Sequence, residues 1–302
     1  MELMKYNTYS KKNHMFYNCN KLTYLYLSNF NTKNVTNMSY MFGKCNSLLE
    51  INLTNFNTQN VTNMSNMFYK CKSLLNLNLS NFDTQNVSNM NDMFCCCKAL
   101  TNLNLEFSNF QTQNVTSMKG MFYKCNSLSI LNLSNLITKN VNNMSFMFSN
   151  CYNLTNLNLA HFNTQNVINM SGMFSESYKL TGLNISNFDT QKVVNMSGMF
   201  SECKSLMNLN LSNFKTNNVT NMSHMFSKCV LLTGLDLSSF KTQQVNNMSH
   251  MFFKCNKITK LNLSNFDMKN VINVNKMFKG CESLEGKNII TKDKKILNIL
   301  NN

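Results

Sequence analysis

The dipeptide Met-Phe recurs at Met15, Met41, Met67, Met93, Met121, Met147, Met173, Met199, Met225, Met251 and Met277, and every step but one is 26 residues. A strict period of this length leaves a chain few options. A single unit cannot bury its own apolar face, so neighbouring units must stack and cover one another, which is the constraint that makes a solenoid. The one exception, Met93 to Met121, is a step of 28, and the two extra residues are Glu106-Phe107, between Leu105 and Ser108. Such an insertion should bulge one loop while the columns on either side keep their register.

From one Cys to the next the unit reads C-x-x-L-x-x-L-x-L-S-N-F-x-T-x-N-V-x-N-M-S-x-M-F-x-x. The copy that starts at Cys71 carries two periods. Leu77-Asn78-Leu79 alternates with period two, as a half-buried strand does; Val87, Met90, Met93, Phe94 and Cys97 step by three, three, one and three, as one face of a short helix or 3-10 turn does. The pattern predicts an α/β solenoid, a stack of about ten 26-residue coils. Each coil would be a short β-strand, a turn through Ser-Asn-Phe-x-Thr, and a short helical or 3-10 return. Residues 1–13 read as a leader or incomplete cap, 14–284 as the solenoid and 285–302 as a tail or cap. The asparagines of one repeat position, Asn37, Asn63, Asn89, Asn143, Asn169, Asn195, Asn221 and Asn247, would bond neighbours in register and satisfy turn backbone.

The apolar content of 43% is enough for a buried core, and the net charge of +15 comes entirely from lysine, with no arginine in the chain. Lysine attracts phosphates as a point charge without the planar fork that reads bases, so no specific nucleic-acid partner is expected. The first residues lack the basic-then-apolar order of a signal peptide, and no apolar run approaches the ~18 residues of a membrane span. On that ground the sequence reads as cytoplasmic with no transmembrane segment. The repeat is already running at His14-Met15-Phe16, however, so a longer parent could have carried an export signal.

The run L-x-x-L-x-L-S-N-F-x-T-x-N-V-x-N-M-S-x-M-F-x-x-C resembles the BspA-like class of leucine-rich repeats, in its variety of approximately 25 residues, over about residues 14 to 284. The resemblance implies a leucine-rich-repeat solenoid that acts in attachment, surface display or protein–protein interaction, and it brings no catalytic residues or cofactor. It also implies a place at the cell surface, against the cytoplasmic reading above.

Ten of the twelve cysteines form one column: Cys19, Cys45, Cys71, Cys97, Cys125, Cys151, Cys203, Cys229, Cys255 and Cys281, with Ser177 in place of the missing member. A recurring position that accepts serine reads as a small buried side chain. Stacking at about 4.8 Å keeps Cβ atoms outside the usual disulfide separation of about 3.5 to 4.5 Å, so reduced thiols are expected. The remaining pair, Cys95 and Cys96, lacks the C-x-x-C spacing of a zinc chelate and is expected to leave one or both thiols exposed. His224 and His250 share a position in successive coils and should lie side by side, as an exposed polar column with no third metal ligand in view.

Thirteen scattered acidic residues pair nowhere, and eight glycines form no phosphate loop, so the sequence offers an enzyme no residues. Lys44, Lys70, Lys124, Lys228 and Lys254 precede the cysteine column, and Lys72, Lys98 and Lys204 follow it. Stacked, they predict a broken basic stripe, with Tyr69 and Tyr123 beside it. The leading expectation is a non-enzymatic repeat protein that binds a protein or other anionic macromolecule along its sheet face or lysine edge. The alternatives are a surface adhesin and, more weakly, a metal or redox protein using Cys95, Cys96, His224 and His250. An uncovered N-terminal coil would favour end-to-end self-association.

Overall fold

The computed structural model describes residues 13–27, 30–107 and 109–301, so the leader expected at 1–13 lies outside the described residues except for Asn13. Two compact units divide the chain, Met1–Asn140 and Val141–Asn302, and each is a β-solenoid of coils about 26 residues long. The Leu-x-Leu segments supply the strands. In the first unit β1 (Tyr24–Tyr26) pairs in parallel with β2 (Glu50–Asn52), and β3 (Asn102–Asn104) with β4 (Ile130–Asn132). In the second, β5 (Asn156–Asn158) pairs with β6 (Gly182–Asn184), and β7 (Gly234–Asp236) with β8 (Lys260–Asn262), all in parallel. Leu-for-Leu register holds in these two pairs of the second unit, Leu157 with Leu183 and Leu235 with Leu261. Parallel pairing of like positions is what a repeat dictates, since each coil returns the chain to its starting side.

Past Leu284 the chain makes a 3-10 turn at Gly286–Asn288, adds β9 (Ile289–Ile290) beside β8, and ends in α1 (Lys294–Asn301). Asp293 starts that helix. Its carboxylate accepts the Lys295 amide at 2.9 Å and the Met268 amide of the last coil at 3.0 Å, while Ile296 is fully buried. One residue thus caps the helix and fastens it to the stack.

The core is a set of columns. Phe42, Phe68, Phe94 and Phe122 lie in stacked contact, with ring centroids 5.6 to 5.9 Å apart, and the run from Phe148 to Phe278 repeats this at 5.5 to 5.9 Å. A second phenylalanine column, including Phe56 and Phe82 and, in the other unit, Phe188, Phe214, Phe240 and Phe266, stacks at 6.3 to 6.5 Å. Offset ring pairs at these separations add to the area they bury.

Of the helical or 3-10 return expected, the structure takes successive turns that close three residues back, as a 3-10 turn does, and no continuous helix. Alternate amides leave the coil altogether: Met38, Tyr40 and Phe42 donate to the carbonyls of Asn63, Ser65 and Met67 at 2.9 to 3.0 Å. The amides between them close turns three residues back, as Met41 to Met38 and Cys45 to Phe42 do, at 3.1 and 3.2 Å. Two residues per coil take left-handed backbone to allow this, such as Tyr40 (φ 55°) and Lys44 (φ 61°) in one coil and His224 (φ 58°) and Lys228 (φ 57°) in another. A helix would spend every amide inside the coil; turns of four residues free half of them for the next coil. Turns of four also place Met38, Met41, Phe42 and Cys45 inward, all fully buried, which is why their spacing imitates a helical stripe.

Threonine supplies the most buried polar group. Thr32, Thr58, Thr84, Thr112, Thr164, Thr190, Thr216 and Thr242 are each 0–1% exposed. Thr216 Oγ1 donates to the Lys241 carbonyl at 2.8 Å and accepts the Lys241 amide at 2.8 Å; Thr32, Thr58, Thr164, Thr190 and Thr242 do the same to the next coil. Asparagine works locally as well as across coils. Asn37, Asn63, Asn89 and their later equivalents accept the amide two residues on, as Ser39 to Asn37 at 2.8 Å, while their backbones bridge coil to coil. A different asparagine column, Asn60, Asn86, Asn114, Asn140, Asn218 and Asn270, reaches carbonyls of the preceding coil at 2.7 to 2.8 Å.

The cysteine column is explained by a bond. Cys45, Cys71, Cys97 and Cys125 each direct Sγ to the carbonyl of a phenylalanine in the preceding coil at 3.1 to 3.2 Å, and Cys203, Cys229, Cys255 and Cys281 do so at 2.9 to 3.1 Å. Ser177 Oγ makes the same bond to Phe148 at 2.8 Å, so serine is tolerated because it too is a small donor. All the column's thiols are free; Cys151 is buried like the rest, and Cys19, in the first described coil, is half-buried. The insertion at Glu106-Phe107 is absorbed as expected: the Phe107 carbonyl accepts the Phe110 amide at 3.0 Å, and the bridge from Asn89 to Ser117 is kept.

Two substitutions test these columns. Thr216→Val keeps the shape but strands the Lys241 amide and carbonyl, and should lower unfolding stability by about 1–3 kcal/mol in urea titrations, with Thr216→Ser close to wild type. Ser177→Cys should be nearly neutral, whereas Ser177→Ala, which removes the hydroxyl's bond to the Phe148 carbonyl, should lower the melting temperature.

Candidate functional site

Side chains just before the cysteine column occupy one of the left-handed positions, so they ride on backbone that already serves the stack, and the side chain itself is free to vary. In the first unit this column runs Lys44, Lys70, Cys96, Lys124. The lysines fold over tyrosine faces: Lys44 Nζ lies 5.1 Å from the Tyr17 ring centre, Lys70 5.0 Å from Tyr69 and Lys124 4.9 Å from Tyr123. Lys72 and Lys98, one residue past the column, are exposed. Stacking a lysine stem along an aromatic face holds the ammonium at the rim of the ring while its outer side stays hydrated.

The second unit breaks the stripe. Its equivalent column runs Asn150, Glu176, Glu202, Lys228, Lys254 and Gly280. Glu202 pairs with Lys228 and lies 3.6 Å from Lys204, whose Nζ also sits 4.0 Å from the Tyr178 ring centre. Glu176 accepts the Tyr178 hydroxyl at 3.1 Å. Lys254 stacks on Phe253 at 5.4 Å. Of the eight lysines expected to form the stripe, Lys44, Lys70 and Lys124 therefore share one tyrosine-braced column in the first unit, where Lys72 and Lys98 are also exposed, whereas Lys204 and Lys228 pair with Glu202. Glu176 and Glu202 were missed because the lysines alone were aligned; their position just before Ser177 and Cys203 was legible.

Cys95 and Cys96 are not exposed, contrary to expectation: they retain 3% and 7% of their surface. They replace a tyrosine and a lysine of the neighbouring coils, and so short a side chain is overtopped by Tyr69, Lys70, Tyr123 and Lys124 on either side. Their sulfurs lie 3.5 Å apart. The hydrogen bond from Cys95, opposed by burial and helped by Lys124, Lys70 and Lys98, holds the Cys96 thiol down at about 7, while Cys95 is pushed up by sharing its proton with Cys96 and by burial. Burial pushes the column thiols the other way, Cys45 and Cys203 to about 12, which leaves them protonated and inert.

His224 and His250 do lie side by side, stacked with ring centres 4.5 Å apart and 6° between planes. Burial lowers both imidazoles' basicity; His250 further lowers that of His224, and Lys276 that of His250. Stacking presents faces and not nitrogen lone pairs to each other, and among the described residues no group of three His, Cys, Asp or Glu side chains could hold a metal ion. No helix of the described residues is long and apolar enough to cross a membrane.

Several solved structures share the repeat type. A leucine-rich cell surface protein from Faecalibacterium prausnitzii is 15% identical, over 92% of this chain and 86% of that one, with a TM-score of 0.42. A leucine-rich repeat protein from Bacteroides ovatus is 16% identical, over 90% and 79%, at 0.33, and one from T. pallidum 18% identical, over 65% and 70%, at 0.32. No curated protein matches the chain. The family described as "Mycoplasma protein of unknown function, DUF285" matches three overlapping segments, residues 2–103, 94–205 and 177–292. With nearly the whole length so matched and the repeat columns in place, the chain belongs to this family of BspA-like leucine-rich repeat proteins.

Proposed function

We propose that this is a non-enzymatic interaction protein that holds an acidic macromolecular partner against the lysine edge of its first unit, through Lys44, Lys70, Lys72, Lys98 and Lys124. The observation that carries this reading is the contrast between the units. In one, three lysines of a single column are braced on Tyr17, Tyr69 and Tyr123 with no acidic residue in that column; in the other, Glu202 neutralises two lysines of the equivalent edge. Bracing lowers the entropy lost when a long side chain is immobilised by a partner. A like-charged row separated by one coil's rise raises the local potential and attracts a polyanion from a distance.

Attachment at a cell surface is the second reading, supported by the BspA-like repeat. Protease treatment of intact source cells separates the two settings: digestion favours the surface, and protection rules it out.

For the lysine edge, the probe is a poly-glutamate column. Lys44→Glu, Lys70→Glu and Lys124→Glu combined should elute at markedly lower salt than wild type. Lys215→Glu, Lys241→Glu and Lys260→Glu combined carry the same net charge change at exposed positions elsewhere and should elute close to wild type once their charge is allowed for. Equal loss in both triple variants would mean that overall charge and not this edge does the binding. Retention that does not fall with salt would exclude an electrostatic edge of any kind.

A further inference from the structure

Ten of the twelve cysteines belong to the repeat column, in which Sγ bonds run from coil to preceding coil, and the two that remain are adjacent in sequence and in space. Cys95 and Cys96 place their sulfurs 3.5 Å apart, at contact, with no structural bond of the kind the column makes. Their backbone is pinned from both sides: the Cys95 carbonyl accepts the Lys70 amide at 2.8 Å, and the Cys96 amide donates to the Tyr123 carbonyl at 2.6 Å. Cys96 is held in left-handed backbone at φ 63°, in the column that otherwise carries Lys70 and Lys124. One thiol thus stands between two ammonium groups of the adjoining coils, with Lys98 close by, and the other lies against it.

We propose that Cys95 and Cys96 form a thiol modification site, in which Cys96 is the nucleophile toward a small hydroperoxide and Cys95 the resolving thiol, giving a reversible disulfide between adjacent residues. The Cys96 thiolate attacks the terminal oxygen of the hydroperoxide, the O–O bond breaks, and the alkoxide leaves with a proton as an alcohol, or as water when the oxidant is hydrogen peroxide. Cys96 is left as a sulfenic acid. The Cys95 sulfur then attacks Cys96 Sγ, a molecule of water departs, and two thiols have been oxidised by two electrons while one peroxide bond has been reduced. Sulfurs already in contact need close only from 3.5 Å to the ~2.05 Å of a disulfide, so the second step is a local one, its strain confined to the Cys95-Cys96 peptide. The hydrogen bond from Cys95 and, after it, the charges of Lys124, Lys70 and Lys98 favour the thiolate that the first step needs. A ring closed between neighbours is strained and therefore easily reduced, which suits a reversible mark and not a structural crosslink. This assignment is independent of the lysine edge as a docking site, since it needs the lysines only as local charge.

The test uses the full chain, reduced, desalted and exposed to a small excess of hydrogen peroxide, then alkylated after denaturation and digested. The expected product is a peptide lacking two hydrogens across Cys95 and Cys96, with Cys97 alkylated, and restored by dithiothreitol. Cys95→Ser should stop at a sulfenic acid on Cys96 that dimedone captures; Cys96→Ser should give neither dimedone label nor disulfide. Lys70→Gln with Lys124→Gln should slow the loss of free thiol at neutral pH by up to about fivefold, the fall in thiolate fraction from roughly one unit in thiol acidity, while circular dichroism shows the coil still folded. A wild-type chain whose Cys96 stays fully alkylatable, a disulfide that includes Cys97, or a Cys96→Ser chain that oxidises as fast as wild type would each overturn the proposal.

Discussion

A threonine hydroxyl sealed from water must find both a donor and an acceptor, and here a single residue of the following coil provides the two. Thr216 meets the amide and the carbonyl of Lys241 at once, and the same pair of bonds recurs down both units. Because leaving either group unpaired costs as much as the bond returns, the spacing between coils has little freedom. The phenylalanine columns, the thiol bonds to phenylalanine carbonyls and the parallel leucine pairs all share that separation. Where the last coil has no successor, Met268 stands in the threonine column, and its own amide is taken by the Asp293 carboxylate. The polar column therefore ends where the partner that would satisfy it changes from a coil to a helix cap.

Much of this was legible in the chain. The period, the leucine strands, the cysteine column with its serine substitute and the harmless insertion at Glu106-Phe107 all follow from counting. The return segment was legible only as helical or 3-10: turns of four residues bring Met90, Met93, Phe94 and Cys97 inward at the same spacing as one face of a helix, and periodicity cannot tell the two apart. What distinguishes them is the destination of the amides, which no side-chain pattern records. Thr58 was likewise visible as a repeat residue, but its hydroxyl's two bonds, to the carbonyl and amide of Asp83, reach another coil and cannot be inferred from its own turn.

The candidate site was legible only as a roster of lysines. Reading one residue type along a column hid Glu176 and Glu202, which divide the edge into a basic half and a paired half. The burial of Cys95 and Cys96 depends on what stands above and below them, Tyr69 and Lys70 on one side and Tyr123 and Lys124 on the other. Chemistry in a stacked repeat is set across coils, so a residue's neighbours are those 26 or 28 positions away.

Since the coils within each unit bond one another through backbone and a few recurring side chains, while the side chains on the left-handed positions vary without touching those bonds, one coil is interchangeable with another. Removing or duplicating a whole 26-residue segment restores every column, whereas losing 25 residues misaligns them all. Near-identical segments invite such exchanges by recombination. The length of this protein is thus the least constrained of its properties, and a lineage can lengthen or shorten the surface it offers without redesigning the interior.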